Sequence, residues 1–240
     1  MRLERVIASI VQHLLRTQQC DGGWANVGDE STPDATSVVL ETLVRHTGEA
    51  VAAAAQQAAD YLRHMQRPEG SWDSACGVQF VHGTSLAVRG LVAAGVSPND
   101  DAVAAGINWL LMHQQPSGGW GEMPPALTTM GQSNRDEFVP GDATASQTAW
   151  ALLALVAAGR ASSPAARRAV SFLLDTQQND GRWCETQFVL RDAASGRCYR
   201  SSLHTTAAPL RALSRWAVVA PVQADTGEKV SFRVVGAAID

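Results

Sequence analysis

The stretch Gln66-Arg-Pro-Glu-Gly70-Ser-Trp72 decides the fold of this 240-residue chain, because the sequence repeats its pattern. Copies of Gln-x-x-x-Gly-x-Trp also occupy residues 18–24, 114–120 and 177–183. Each copy follows one apolar helical stretch and precedes another. Repeats of this kind are typical of stacked supersecondary units that share a core. We expect each motif to form a turn, with positive φ at its glycine, a Gln amide bound to loop backbone and a structural tryptophan.

Apolar residues at helical spacing predict eight helices, which form four pairs. The predicted helices span residues 4–17, 35–46, 50–65, 83–94, 100–113, 144–158, 164–176 and 205–218. The second helix of each pair is rich in small residues that allow close helix packing, so we place it in an inner layer. The predicted fold is all-α, an α/α barrel or toroid of about four helix pairs in one domain over residues 1–220. Residues 221–240 form a C-terminal extension with a weak β-hairpin pattern.

A polar residue stands at the start of each inner helix, two positions before a threonine. These four residues are Asp34, His82, Ser146 and His204. We place them at or near the N-cap, in an arc at one mouth of the ring. Asp and Ser suit plain capping, but His is not a favoured cap residue, so plain capping and a cavity-lining arc both stay open. Substrate contacts are assigned to Ser146, Thr84, Phe80 and Trp150.

Residues 121–141 form a long segment without clear periodicity. Loops of this length inside compact domains are uncommon and often functional. Asp136, Glu137 and Asp142 lie in or beside this segment. We expect these carboxylates near the same mouth of the ring.

Composition excludes several functional classes. A net charge of −4 and a pI of about 5.8 leave no basic surface for nucleic acid. No apolar run predicts a transmembrane segment, and the first residues do not resemble a signal peptide. Four cysteines without a Cys-x-x-Cys pair favour reduced thiols and a cytoplasmic protein. The sequence has neither a Gly-rich phosphate loop nor a Gly-x-Ser-x-Gly motif, and we predict no cofactor.

The repeated motif resembles the hallmark of squalene–hopene cyclases and related class II terpene cyclases. The phrases QRPEGSW with GVQFVHGTSLAVRGLVAAG, and HQQPSGGWGE with ASQTAWALLALVAAGRASSPAARRAVSFLLDTQQNDGRW, are similar to the C-terminal part of those enzymes. The resemblance covers roughly residues 5–216. It implies an α/α barrel, which protein prenyltransferase β subunits share, and a small-molecule isoprenoid substrate.

The acid site departs from the family pattern. The family protonates its substrate with an Asp-x-Asp-Asp motif, which this sequence lacks. Asp34 aligns instead with a later family position that helps to organise the acid site, and Val38 stands where the family has a supporting histidine. We still expect Asp34 to be the acid, tuned by His82 and His204, because an apolar cavity favours a protonated carboxyl group. A helix N-terminus opposes this by favouring the carboxylate, so ordinary capping by Asp34 stays open.

Two more departures concern the cavity wall and the size of the ring. Where the family has a C-terminal aromatic cluster, residues 197–204 read Arg-Cys-Tyr-Arg-Ser-Ser-Leu-His. Tyr199 and Phe188 remain to stabilise a carbocation, which argues against a long cascade; Tyr199 is assigned a catalytic role. The resemblance also implies about six helix pairs, whereas four are predicted here. We therefore expect a homo-oligomer or a partner subunit.

A zinc site is the weaker interpretation of the same arc. Prenyltransferase β subunits bind zinc through Asp, Cys and His, and Asp34, His82 and His204 offer similar ligands. Thr84 stands where the cysteine would be, so we predict no metal. The predicted function is a class II terpene cyclase-like enzyme that performs a short acid-initiated cyclisation or isomerisation. The alternative is a non-catalytic or partner subunit that binds an isoprenoid or completes a split cyclase.

Overall fold

The structure, a computed structural model, describes residues 2–26, 28–74, 80–123, 137–185, 190–191, 198–199 and 201–220. Within these ranges the chain forms eight helices and four short strands. The helices are α1 (Arg2–Thr17), α2 (Pro33–Leu43), α3 (Glu49–His64), α4 (Phe80–Ala93), α5 (Asp101–Met112), α6 (Ala145–Ala157), α7 (Pro164–Asp175) and α8 (Ser202–Val219). This confirms the predicted helices and their pairing. None of the described helices is both long and apolar enough to cross a bilayer.

The helices form two layers, as predicted from the small residues of every second helix. The inner helices α2, α4, α6 and α8 pack against one another in that order, and α1, α3, α5 and α7 lie outside them. Close approach between inner helices depends on missing side-chain bulk. A Cβ atom on Gly90 of α4 would lie 3.1 Å from Cα of Ser37 on α2. Along α6, Ala149, Ala151 and Ala154 are fully buried.

The repeated motif is a set of hydrogen bonds that joins three helices. In the second copy, the indole Nε1 of Trp72 donates to the carbonyl of Leu62 at 2.6 Å, in the last turn of α3. The Gln66 amide donates to the carbonyls of Gly70 and of Ala102 in the first turn of α5, at 3.0 and 2.9 Å. Helix ends leave backbone groups without intrahelical partners, and the tryptophan satisfies one of them. The predicted structural role of the motif is therefore confirmed.

The same bonds recur along the chain. The indoles of Trp24, Trp120 and Trp183 donate to Leu14, Leu110 and Leu173 in the last turns of α1, α5 and α7. The motif glycines have positive φ, between 82° and 97°, as predicted. Since each of the first three Gln side chains also binds the next outer helix, the motif sets the position of each pair on its neighbour.

The strands form two small antiparallel ribbons. β1 (Trp120–Glu122) pairs with β2 (Pro140–Thr144), and β3 (Leu190–Arg191) pairs with β4 (Cys198–Tyr199). The first ribbon brackets most of the segment predicted as a loop over 121–141. Its residues 124–136, including Asp136, lie outside the described residues, as do Phe188 and the C-terminal extension 221–240 with its predicted hairpin.

Candidate functional site

One cavity of about 540 Å³ opens between the four inner helices. All four contribute to its wall, together with two residues that follow the first motif. The lining residues are Ala25, Asn26, Asp34, Ala35, Val38, Val39, His82, Leu86, Arg89, Trp150, Leu153, His204, Ala207, Ala208 and Arg211. The first turns of α2, α4 and α8 thus bring Asp34, His82 and His204 to one end of a shared, largely apolar space.

A hydroxyl group connects the buried carboxyl group to the nearest histidine. Ser74 Oγ lies 3.4 Å from Asp34 Oδ2 and 3.0 Å from His82 Nδ1. Asp34 is only 4% exposed and Ser74 only 6%. A serine hydroxyl has a single proton. Because Ser74 donates that proton to Asp34, its contact with His82 requires a proton on His82 Nδ1.

His82 is held neutral by its surroundings. Burial lowers the pKa of His82 from 6.5 to about 4, against the opposing attraction of Asp34, while the positive charges of Arg89 and His204 lower it further. Its ring packs on Trp150 at a tilt of 54°, with 4.4 Å between the ring centroids. A neutral imidazole has one N–H donor and one acceptor nitrogen. It can therefore exchange a proton with Ser74 through Nδ1 while its other nitrogen takes up the compensating proton.

His204 completes the polar end of the cavity from α8. Its Nδ1 lies 2.9 Å from Ser201 Oγ, and the same hydroxyl accepts from the His204 backbone N–H. The His204 side chain is exposed, unlike that of Asp34. It therefore lies on the solvent side of the arc.

Where the structure describes the caps, the residues expected at or near the N-caps lie two or three positions beyond them. Thr32, Thr144 and Ser201 cap α2, α6 and α8 with their hydroxyl groups. Asp34 and His204 lie inside the first turn, where their side chains are available to the cavity. This removes plain capping as the explanation for Asp34.

Three residues predicted to contact substrate lie away from this cavity. Thr84 is fully buried, and its Oγ1 accepts from the backbone N–H of Trp72 at 3.0 Å. Phe80 packs on Trp109, with ring centroids 6.3 Å apart. Ser146 Oγ donates to the Glu185 carboxylate at 2.7 Å. These three side chains pack or hydrogen-bond within the protein. Of the four residues predicted to contact substrate, only Trp150 lines the cavity.

Two acidic residues that the sequence analysis missed hold the starts of inner helices. Glu122 is 1% exposed, and its carboxylate accepts from the backbone N–H groups of Phe80 and Val81 at 2.9–3.1 Å. Glu185 accepts from the Ser146 N–H and hydroxyl, and burial raises its pKa, partly offset by these bonds. Ser74, Glu122 and Glu185 each stand two residues after a motif tryptophan. That shared position was the signal available in the sequence.

The remaining candidates are not brought to the cavity wall. Glu137 and Asp142 are exposed, and Asp142 borders a separate cavity of about 150 Å³ beside Glu185. Tyr199 lies in β4, but its side chain is outside the described residues, as are those of Cys76 and Cys198. Among the residues that the structure describes, no three His, Cys, Asp or Glu side chains are grouped to hold a metal ion.

Comparison with known families gives a match over most of the chain. The family described as "Squalene-hopene cyclase C-terminal domain" matches residues 25–218. The squalene–hopene cyclase of Bradyrhizobium diazoefficiens is 37% identical over 191 residues, 78% of this chain and 28% of that protein. The squalene–hopene cyclase of Alicyclobacillus acidocaldarius is 37% identical over 170 residues, 71% of this chain and 26% of that protein. The chain thus spans less than a third of the length of these relatives.

Solved structures share the fold at lower identity. An ent-copalyl diphosphate synthase from Streptomyces platensis superposes with a TM-score of 0.61 at 20% identity, over 85% of this chain and 37% of that one. The type II terpene cyclase MstE from Scytonema superposes with a TM-score of 0.57 at 21% identity, over 88% of this chain and 59% of that one. These structures confirm the predicted α/α barrel.

Proposed function

We propose that the inner cavity of this chain, which belongs to the squalene-hopene cyclase C-terminal domain family, binds an isoprenoid and supports acid-initiated cyclisation or isomerisation. One observation carries the proposal: a buried carboxyl group, that of Asp34, borders an apolar cavity and is joined through Ser74 to His82. The relatives that bear the activity in their names are longer than this chain. The activity is therefore proposed here for the cavity that this chain builds.

In the proposed reaction Asp34 acts as the Brønsted acid. Its proton forms a new C–H bond with one carbon of a substrate alkene, which leaves a carbocation on the other carbon. A second alkene of the same chain then attacks that cation and closes a ring. Loss of a proton from the cyclised cation restores a neutral alkene, so the product has the mass of the substrate. No redox step is involved, and this chemistry needs no cofactor.

The other cavity residues have matching tasks. Ser74 and His82 orient the Asp34 carboxyl group and can return a proton to it after each turnover, in the order His82, Ser74, Asp34. Trp150 presents an aromatic ring to the cavity, and such rings attract cations. The apolar side chains of Val38, Leu86 and their neighbours line the cavity and offer the cation no nucleophilic group.

The site also contains a histidine near Asp34, although the position of the family's supporting histidine is occupied by Val38. Val38 stands where the resemblance implies a supporting histidine, and it lines the cavity one turn after Asp34. The structure instead links Asp34 to a histidine of the adjacent inner helix, His82 on α4, through Ser74. Asp34 therefore has a histidine nearby, but on a different helix from the one that the resemblance implies. This supports an enzymatic function over a purely structural one.

The test is turnover with a panel of isoprenoids. MstE, a structural relative, was solved with geranylgeranyl dihydroxybenzoate as its substrate, so the panel combines prenylated aromatics, squalene and prenyl diphosphates. We expect a cyclised product of unchanged mass by mass spectrometry, lost in Asp34→Asn. Asp60→Asn is the matched control, because Asp60 is an exposed carboxylate on α3. Full activity in Asp34→Asn would remove Asp34 from the role of acid.

A partner-subunit function is the second candidate, favoured by one observation. Helix α1 exposes an apolar face at helical spacing, with Leu3 71% exposed, Val6 50% and Ile10 52%. Faces of this kind usually pack against another element. We propose that a further helix pair, supplied by a second chain, covers α1. A monomeric mass for a well-folded protein by light scattering would contradict this candidate.

The expected cytoplasmic location stays a prediction.

A further inference from the structure

Polar residues line the cavity at two levels, or tiers. The first tier is Asp34, His82 and His204, and the second lies two helical turns farther along the inner helices. Three inner helices repeat their polar residue after seven positions: Asp34 and Glu41, His82 and Arg89, His204 and Arg211. Residues seven apart lie on one helix face, about 10 Å apart along the axis. Arg89 and Arg211 line the same cavity as the first tier. The cavity therefore has an acid end and an arginine end.

The wall between the two tiers is apolar. Val38, Leu86 and Ala208 line the cavity one turn beyond Asp34, His82 and His204, respectively. On α6, Trp150 lines the cavity at the level of Leu86, between the tiers, and Leu153 lines it at the level of Arg89. A molecule that fills this space meets polar groups at both ends and hydrocarbon in between. This pattern fits an elongated amphiphile better than a hydrocarbon without a head group.

The arginine end has more positive than negative charge. Arg89, 7% exposed, donates to Glu41 Oε2 at 2.6 Å, and Arg211 reaches the same oxygen only at 3.7 Å, with its side chain 55% exposed. Two guanidinium groups thus share one carboxylate, and Arg215 adds a further positive charge that acts on Arg89. Within the described residues around this cluster, at least one positive charge lacks a balancing carboxylate. A guanidinium fork suits carboxylate or phosphate oxygens.

We propose that Arg89 and Arg211 bind the anionic head group, a carboxylate or a phosphate, of an isoprenoid whose chain lies along the apolar wall toward Asp34. This inference rests on the proposed function for its account of the acid end. It adds the substrate class, an isoprenoid with an anionic head, and the direction in which that substrate lies. The double bond farthest from the head group is then the one next to Asp34.

The test measures binding without turnover, so that it does not depend on Asp34 being the acid. Farnesyl diphosphate, farnesoic acid and the neutral farnesol are titrated by calorimetry into the full chain and three variants. Arg211→Gln should weaken binding of the anionic probes about tenfold or more and leave farnesol unchanged. Arg211→Lys should restore part of the affinity. Arg167→Gln on the outer helix α7, also an exposed arginine, is the matched control and should change nothing.

A fourth variant reverses the sign of the effect. Glu41→Gln removes the carboxylate that Arg89 and Arg211 share, so it should tighten binding of the anionic probes. Opposite shifts in Glu41→Gln and Arg211→Gln would not follow from a general loss of folding. Equal affinity for farnesol and farnesyl diphosphate, unchanged in Arg211→Gln, would overturn the head-group site and leave the cyclisation proposal intact. Anion-dependent binding that survives in Asp34→Asn would support the site even if Asp34 proves not to be the acid.

Discussion

Replacing Thr84 with valine separates a structural role for this residue from a role in substrate binding. In the structure, Thr84 Oγ1 accepts from the backbone N–H of Trp72 at 3.0 Å, and both residues are fully buried. Valine has nearly the same shape as threonine, so the substitution leaves no large cavity. It removes the acceptor and leaves the Trp72 N–H without its partner inside the core.

The expected loss of stability follows from that unsatisfied donor. A buried donor that loses its partner costs about 1–3 kcal/mol. We therefore expect Thr84→Val to lower the free energy of unfolding by about 2 kcal/mol. With a urea dependence of roughly 2 kcal/mol per molar, the unfolding midpoint should fall by roughly 1 M. The isoprenoid binding affinity of the folded protein should not change, because Thr84 lies away from the cavity.

Urea unfolding followed by circular dichroism at 222 nm provides the assay. Thr42→Val is the matched control, since Thr42 is exposed on α2 and its hydroxyl bonds only to the helix carbonyl of Val38. That control should stay within about 0.5 kcal/mol of the original protein. An unchanged midpoint for Thr84→Val would refute the reasoning. Weakened isoprenoid binding at unchanged stability would return Thr84 to substrate binding.

Two further predictions concern His82 and a motif glycine. Because burial lowers the pKa of His82 to about 4, the unfolded chain binds a proton at higher pH than the folded protein. The free energy of unfolding should then fall by about 2–3 kcal/mol between pH 7 and pH 4.5 through this group, and His82→Gln should lose that part of the dependence in urea titrations. Gly70 has φ 97°, and a Cβ there would lie 2.7 Å from the Ala105 carbonyl oxygen, whereas Gly95, at φ 86°, faces open space. Gly95→Ala should cost about 1 kcal/mol and Gly70→Ala at least twice that in thermal unfolding; equal costs would show that the close approach is unimportant.

The elements of the fold could be predicted because the information is local. The Gln, Gly and Trp of one motif lie within seven residues, and the helix turn that accepts the indole N–H ends just before them. The inner threonine follows the tryptophan after 12 residues in the pairs Trp24–Thr36 and Trp72–Thr84. Such spacings appear in the sequence as a repeat. Apolar periodicity then places the helices to within a few residues.

For α2, the sequence contains a stronger cap signal than the polar residue Asp34. Thr32 precedes Pro33, and threonine before a proline is a strong start signal, since proline is favoured at the first helical position. Asp34, two positions later, is the second residue of α2. Asp34 and His204 lie inside the first turns of α2 and α8 and line the cavity between the inner helices.

The contacts between repeats could not be predicted from one sequence. Ser74 meets Asp34 across 40 positions, and Glu122 meets Phe80 across 42. These pairs depend on how one helix pair is rotated and shifted against the next. That register is set by the Gln side chains and by close packing such as Gly90 against Ser37. The shared position two residues after the motif tryptophan shows that Ser74 and Glu122 are equivalent, but it does not show which residue of the neighbouring repeat each one contacts.

One repeated position explains why the candidate acid lies at α2 and not at α4 or α6. Two residues after the motif tryptophan, the third and fourth repeats carry Glu122 and Glu185, whose carboxylates hold the N-termini of α4 and α6. At the same position the second repeat carries Ser74, which faces the first turn of α2. A glutamate there would place a second negative charge beside Asp34 in a buried site, which is costly. The short hydroxyl group of Ser74 adds no charge and hydrogen-bonds to Asp34, which is why, of these three positions, only this one suits the acid proposed at α2.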